Sequence, residues 1–391
     1  METYSPNKKK SKKSSKSLSP INQEEKYIAC LVLHALGDTI GFYNGKWEFN
    51  YHSDIILIDI ADEILYEFIK LGGINQINLE GWYASDDTIY NIAIANTIIA
   101  SKSKSHKILV NNVKTELALG HERIVSDEMN NIARSEGNTT GKYIEKFTQK
   151  RDASKMPYDS NSGGNGCAMR TSSIGLAYHG VNNREQLCYL AIETSRITHN
   201  SAIGYLGGLT NAYFIALAIE GVPLEKWPYL LIELLESKLV LKYIKRDLDD
   251  TVQEELKDYN LFIFYWKKYI GLRFTDKQEI ITSKANHNLV YRSKFHYDNF
   301  TINTPSFTIG DNGYSATIMA YDALIDAGNV WEKLIIYSAF HFGDSDTVSA
   351  IACSWYGALY GFAHVPENNL KYLEFKDELI KLGKTIYKSF I

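Results

Sequence analysis

The sequence predicts an all-α fold, and three observations carry that expectation. Only seven prolines occur in 391 residues, so long helices run uninterrupted. Apolar residues recur at three- and four-residue spacing in segment after segment, while no series of alternating apolar and polar residues marks strands. Several of these segments open on acids or hydroxyl residues and stop at glycine, as helices do.

In chain order, Tyr27–Ile40 has an apolar face and stops at Gly41. Ile60–Leu71 carries apolar residues at Ile60, Ile64, Leu65, Phe68, Ile69 and Leu71, with Gly72 as its stop. Asp86–Ala100 opens on two acids, which suit the positive end of a helix dipole. Arg184–Thr198 and Ser201–Ile219 follow, then Tyr229–Val240 and Glu254–Tyr269. Ile318–Ala327 ends at Gly328, Val330–Phe340 continues, and Thr347–Phe362 and Asn369–Ser389 close the chain. Asp159–Gly166 and Phe300–Tyr314, rich in Ser, Gly and Asn, read as loops, and the Ile55–Ile60 run is ambiguous. No long internal repeat is visible. The simplest organisation is one helical domain from residue 24 to 391, preceded by a tail of residues 1–23.

Composition excludes several classes. A hydrophobic content of 45% with 23% charged residues is that of a soluble globular chain. The first twenty residues hold six lysines and one acid, so of the overall charge of −4 they contribute +5 and the remainder −9. Almost free of apolar residues, the tail is expected to be disordered. It reads as a solubilising tail, a nuclear address or a dock for an acidic partner. The acidic balance of the body argues against nucleic acid as a partner. Four scattered cysteines with no CxxC pair exclude a disulfide framework and disfavour a zinc site. The uncharged stretches Ala202–Ile219 and Val348–Val365 are long enough to span a membrane, but their small residues suit packed core helices, so no membrane partner is expected. The chain reads as cytoplasmic, and no coiled-coil heptads suggest anything but a monomer.

The chemistry concentrates in two acidic turns, Ser85-Asp86-Asp87-Thr88 and Gly343-Asp344-Ser345-Asp346-Thr347. Each pairs two aspartates with hydroxyl residues just before an apolar helix. Such turns can aim several oxygens into one pocket, which suits hard cations such as Mg²⁺, Mn²⁺ or Ca²⁺. They also match ordinary N-caps. Glu48, between Trp47 and Phe49, is either a desolvated carboxylate with a raised pKa or a surface loop residue. The stretch Gly163-Gly164-Asn165-Gly166-Cys167-Ala168-Met169-Arg170 is either a phosphate cradle or a simple turn, and it lacks the lysine and spacing of a P-loop. His199 is a ligand-facing residue or a packing histidine.

Taken in order, GD…G, NGKWEF, SDDT, GGNGCAMR, THN…GYLGG, IMAYDA and GDSDT resemble the ADP-ribosylglycohydrolase family. The Phe42–Phe49 stretch (FYNGKWEF) is most similar to the ADP-ribosylarginine hydrolase branch. The resemblance runs from Tyr27 to the C-terminus and is weak at 101–155 and 240–305. It implies a compact single-domain orthogonal helical bundle with a binuclear metal centre holding two Mg²⁺, with Mn²⁺ as a substitute. It further implies metal ligation by Ser85, Asp86, Asp87, Asp344, Asp346 and Thr347. Catalytic roles would fall to Asp86, Asp87 and Glu48, and substrate binding to Gly164, Asn165, Gly166, Cys167, Ala168 and His199. The expected partners are ADP-ribosylated proteins or ADP-ribosyl-arginine, and the expected reaction is Mg-dependent hydrolysis of the N-glycosidic bond to arginine. Cleavage of O-linked ADP-ribose, on serine or in O-acetyl-ADP-ribose, and a non-catalytic ADP-ribose-binding or structural role stand as alternatives. Two departures from the branch pattern are Ser315 in place of an Asp and Pro305 near the place of an aromatic.

Overall fold

The computed structural model describes residues 22–50, 60–102, 104–149, 156–244, 251–281, 288–301 and 308–391. The tail, most of the Ile55–Ile60 run and Pro305 lie outside the described residues. Sixteen α-helices follow one another among them: α1 (Gln23–Phe42), α2 (Ile60–Lys70), α3 (Asp86–Ala100), α4 (His106–Met129), α5 (Asn138–Gln149), α6 (Ser172–Ala177), α7 (Arg184–Ser195), α8 (Ala202–Ile219), α9 (Trp227–Glu236), α10 (Lys238–Ile244), α11 (Val252–Arg273), α12 (Leu289–Phe300), α13 (Gly313–Ala327), α14 (Trp331–Ala339), α15 (Ser345–Tyr360) and α16 (Lys376–Phe390). No named strand occurs among the described residues, only two isolated bridges. The all-α expectation holds.

The centre of the molecule is the antiparallel pair α1 and α15. Asn22 caps α1 by accepting from the Glu24 N–H at 3.1 Å, and Glu24 and Glu25 sit in its first turn. Along the pair, Ala29 meets Gly357, Gly37 meets Ser349 and Gly41 meets Ser345. These glycines let the two backbones touch. A Cβ on Gly41 would lie 2.4 Å from the Ser345 carbonyl oxygen and 2.7 Å from the Asp346 Cα. Gly41→Ala is therefore expected to force the helices apart and cost about 1–3 kcal/mol of stability, read as a lower denaturant midpoint. It should also lower activity, because α15 carries Asp346 at its first turn.

Helix α8 packs against α15. It is long and apolar enough to span a membrane, yet 89% of its length is buried inside the protein. Its apolar character on all sides is that of a core helix. The stretch beginning at Val348 likewise lies largely in α15, buried from Val348 to Ala358.

Several boundaries differ from the sequence expectation. Tyr229–Val240 is two helices, because Ser237 is extended (φ −75°, ψ 155°) between α9 and α10. Asn369–Ser389 is a short 3₁₀ turn at Glu367–Leu370 and then α16, with Tyr372 and Phe375 at positive φ between them. Of Phe300–Tyr314, Phe300 closes α12 and Gly313 opens α13, residues 301 and 308–312 are non-helical, and 302–307 lie outside the described residues. Helices α4, α5 and α12 were not expected. In α4 the buried stripe is thin, Leu109, Val113, Leu117, Gly120 and Ile124 in 24 mostly polar residues. The polar segment of α12 is held by charge: Arg292 bonds Asp322 and Asp326 of α13 at 2.6 Å each, and Arg273 of α11 pairs with the same two acids.

Candidate active site

The first acidic turn is built at the start of α3. Ser85 is the N-cap, its Oγ accepting from the Asp87 N–H at 3.2 Å. Behind it, Asp38 of α1 accepts from the N–H groups of Ser85 (3.0 Å) and Thr88 (3.1 Å) and from the Thr88 hydroxyl (2.5 Å). On the other side, Arg134 donates to the Ala84 carbonyl at 2.7 Å and to Glu374, and Glu374 accepts from the Ala84 N–H at 2.8 Å. The Asp86 N–H donates to the Arg134 carbonyl at 2.9 Å. The turn is thus clamped from α1, from the segment after α4 and from the segment before α16.

The loop after α1 is folded back on the same region. Asn44 bonds the Gly81 carbonyl and the Tyr83 N–H, both at 2.8 Å. Trp47 is buried among Tyr43, Trp82 and Phe340 and donates to Glu67 at 3.0 Å. This anchored tryptophan sets the position of Glu48, and the next residue, Phe49, donates its N–H to the Gly343 carbonyl at 3.0 Å.

The second turn caps α15, with Asp344 as N-cap accepting from the Thr347 N–H. Two contacts draw the separate pieces together. Thr347 Oγ1 donates to Asp87 Oδ1 at 3.3 Å, joining turns 260 residues apart. Asn165 of the glycine-rich loop donates to Asp344 Oδ2 at 2.8 Å and to the Gly310 carbonyl at 2.7 Å.

The result is a cleft of about 430 Å³. Its walls bring together Glu48, Asp86, Asp87, Gly164, Asn165, Gly166, His199, Asp344, Asp346 and Thr347, all named from sequence. Three of the named residues stand behind the wall. Ser85 is buried in its capping role, Cys167 donates through sulfur to the Ser195 carbonyl, and Ala168 is buried with its N–H on the Asn165 carbonyl. Ser315 is likewise spent on structure, in a capping box with Asn312 at the start of α13. Sequence reasoning gave no role to Asp38, Glu136 or Asp311. Asp38 had a signal, an acid in an otherwise apolar helix. Glu136, held by Tyr90 and His121, follows α4, which was itself unexpected.

Among the described residues, seven acids and no lysine or arginine line the cleft. Burial, then Asp344, push the Glu48 carboxyl up to about 8. Burial and the neighbouring acids raise Asp86, Asp87 and Asp346 well above the ordinary carboxylate range. Burial raises Asp38 to about 6 in spite of the hydrogen bonds it accepts from Ser85 and Thr88. Such a cluster either holds protons or holds cations.

The donor set fits a hard divalent ion. Asp87 Oδ2 is buried and has no hydrogen-bond partner, an arrangement that leaves a lone pair for a cation. The side chains of the two acidic turns offer carboxylate and hydroxyl oxygens, and no thiol lines the cleft among the described residues. Among the described residues no three His, Cys, Asp or Glu side chains close around a single point by themselves. Magnesium does not require that, since it keeps several waters and takes only one or two carboxylates.

Sequence comparison identifies the relatives. The sequence model of the ADP-ribosylglycohydrolase family matches residues 19–391. A protein of Dictyostelium discoideum named ADP-ribosylhydrolase ARH1 is 31% identical, over 93% of this chain and 94% of its own. A protein of Acanthamoeba polyphaga mimivirus, an ADP-ribosyl glycohydrolase by name, is 36% identical over 84% of this chain, and the match spans only 63% of that protein's length. The mouse protein named ADP-ribosylhydrolase ARH3 is 20% identical over 93% of this chain and 92% of its own. A solved structure titled as an ADP-ribosylglycohydrolase-related protein complex shares the fold, with a TM-score of 0.57 at 16% identity, over 94% of this chain and 99% of that one. The chain belongs to the ADP-ribosylglycohydrolase family, hydrolases of ADP-ribose linkages.

Proposed function

We propose that this chain hydrolyses the N-glycosidic bond of ADP-ribosyl-arginine on proteins, with two Mg²⁺ ions in the cleft, releasing ADP-ribose and restoring arginine. Mn²⁺ would serve in the same place. The observation that carries the reading is the cleft itself: two acidic turns joined through Thr347 and Asp87, lined by acids and, among the described residues, by no lysine or arginine. The arginine linkage is supported by the FYNGKWEF loop, and by 31% identity to the protein named ARH1 against 20% to that named ARH3.

Asp86, Asp87, Asp344, Asp346 and Thr347 would hold the ions, with Ser85 fixing the first turn from behind. When bound, Mg²⁺ supplies the positive charge that keeps these acids ionised and the Lewis acidity that acidifies a water. The carboxylates favour the positive charge that develops on the ribose as the glycosidic bond breaks. Glu48, on the wall and inclined to keep its proton, is placed to exchange a proton with a water or the departing group. Asp87 offers its unpartnered Oδ2 to orient a water. Gly164, Asn165 and Gly166 would lie along the diphosphate, where glycine permits close approach.

Incubation with Mg²⁺ and ADP-ribosyl-arginine is expected to release ADP-ribose, with ADP-ribosyl-serine cleaved at least about tenfold more slowly under the same conditions. Equal or faster cleavage of the serine linkage, or no release from the arginine linkage, would overturn the assignment.

A further inference from the structure

His199 is held against the glycine-rich loop in one orientation. A Cβ on Gly166 would lie 2.7 Å from its Cε1 and 3.0 Å from its Nε2, and one on Gly164 would lie 3.3 Å from Nε2. From the other side, a Cβ on Gly204 of α8 would lie 2.9 Å from the His199 Cβ. The Nε2 edge therefore faces the loop that lines the cleft. The Nδ1 edge meets the hydroxyl of Thr198 at 2.8 Å. That hydroxyl is in turn 2.9 Å from Nη2 of Arg170, which also donates to the Thr194 carbonyl at 3.2 Å. Arg170 is wholly buried.

Donor logic orders this chain. A guanidinium has donors only and stays protonated, so the Thr198 oxygen must accept from Nη2. Its single proton is then free to donate; of the two groups beside it, His199 Nδ1 at 2.8 Å is the stronger acceptor and Cys167 Sγ, itself donating to the Ser195 carbonyl, the weaker. A cation bonded to the hydroxyl oxygen polarises the O–H and strengthens that donation. It also disfavours a second N–H aimed at the same oxygen. With that donation made, Nδ1 would be bare and Nε2 would carry the proton. Burial, together with Arg170, pushes the imidazolium pKa down to about 3, so the ring is neutral.

We propose that Arg170 and Thr198 are positioning residues that fix His199 as its Nε2–H tautomer, so that it presents one neutral donor to the oxygens of an ADP-ribose group lying along Gly164 and Gly166. The use of that donor rests on the function proposed above, but the tautomer does not. In a cleft lined by acids, a neutral ring avoids capture by a carboxylate as an imidazolium and keeps its N–H for the substrate.

Nitrogen NMR of the histidine-labelled full chain, with the His199 signals assigned through His199→Gln, reads the tautomer directly. The expected result is a bare Nδ1 and a protonated Nε2, unchanged between about pH 5 and pH 8. A proton on Nδ1 overturns the proposal, whatever the enzyme does. Thr198→Val is expected to mix the tautomers, to weaken ADP-ribose binding and to raise KM about tenfold with a smaller change in kcat. Thr198→Ser, which keeps the hydroxyl, is expected to restore both the spectrum and the KM. A Val variant with the wild-type spectrum and affinity, or a Ser variant as impaired as Val, contradicts the relay. If the wild-type chain binds no ADP-ribose, the proposed function falls while the tautomer measurement still stands.

Discussion

Asp87→Asn is expected to reduce turnover of ADP-ribosyl-arginine by about 10³-fold or more while leaving the metal-free fold as stable as wild type, or more so. The two halves of this expectation share one cause. Asp87 is 1% exposed, and Asp38, Asp86, Asp344 and Glu48 all act on it as like charges. Its Oδ1 accepts from Thr347 and its Oδ2 has no partner. Asparagine keeps the shape and the oxygen that meets Thr347. It removes one charge from a crowded cluster, which relieves repulsion where no cation is present. It also removes the charge a divalent ion needs. A residue serving only as a cap would behave differently: loss of a cap lowers stability and leaves chemistry intact. Thermal unfolding in chelator, set beside kcat/KM in saturating Mg²⁺, separates the two. Reduced stability with retained activity would return this turn to a merely structural role.

The second large effect is on the pH dependence of stability without metal. Burial and neighbouring acids raise Glu48 to about 8 and burial raises Asp38 to about 6, while Asp86, Asp87 and Asp346 move the same way. A group raised in the folded state binds its proton more tightly there than in the unfolded chain. Its stabilising contribution is complete below the unfolded carboxylate range, about pH 4, and is lost as pH rises through the folded value. Buried imidazoles act in the opposite sense. Burial lowers His34 to about 4 and His199 and His341 to about 3, and it also lowers His179 and His296. They destabilise the fold as pH drops below about 6.5, the unfolded histidine value. The window in which the acids act alone is therefore from about pH 6.5 to about pH 8. There the Tm in chelator is expected to fall as pH rises, and Mg²⁺ is expected to restore it by an amount that grows with pH. A Tm in chelator that is flat or rising across this window, or one that Mg²⁺ does not move, would speak against a cation-dependent cluster.

How far the sequence foretold this molecule depended on how locally each feature was written. The helices α1, α3, α8 and α15 were legible because their apolar residues are dense and their starts carry caps: Asn22, Ser85, Ser201 and Asp344. Helix α4 was not, because its buried stripe is one residue wide in a polar segment. Helix α12 was not, because its hold on α13 is Arg292 paired with Asp322 and Asp326, a non-local charge pattern. In the cleft, Asp86, Asp87, Asp344 and Asp346 were visible as motifs. The contacts that bring them together, Thr347 to Asp87 and Asn165 to Asp344, join residues 260 and 179 positions apart and exist only in the fold. The role of Asp38 was hidden for the same reason. It serves a turn 47 residues away, and only the packing of α1 against α3 shows that its carboxylate holds the SDDT backbone.

The two acidic turns are proposed to form one divalent-cation centre that cleaves ADP-ribosyl-arginine. The most direct test follows ADP-ribose release from ADP-ribosyl-arginine by the chelated full chain as Mg²⁺ is added back. No turnover is expected in chelator, and a saturable rise is expected with Mg²⁺, abolished in Asp87→Asn and Asp346→Asn alike. Turnover that persists in chelator, or that survives either substitution at saturating Mg²⁺, would contradict the proposal.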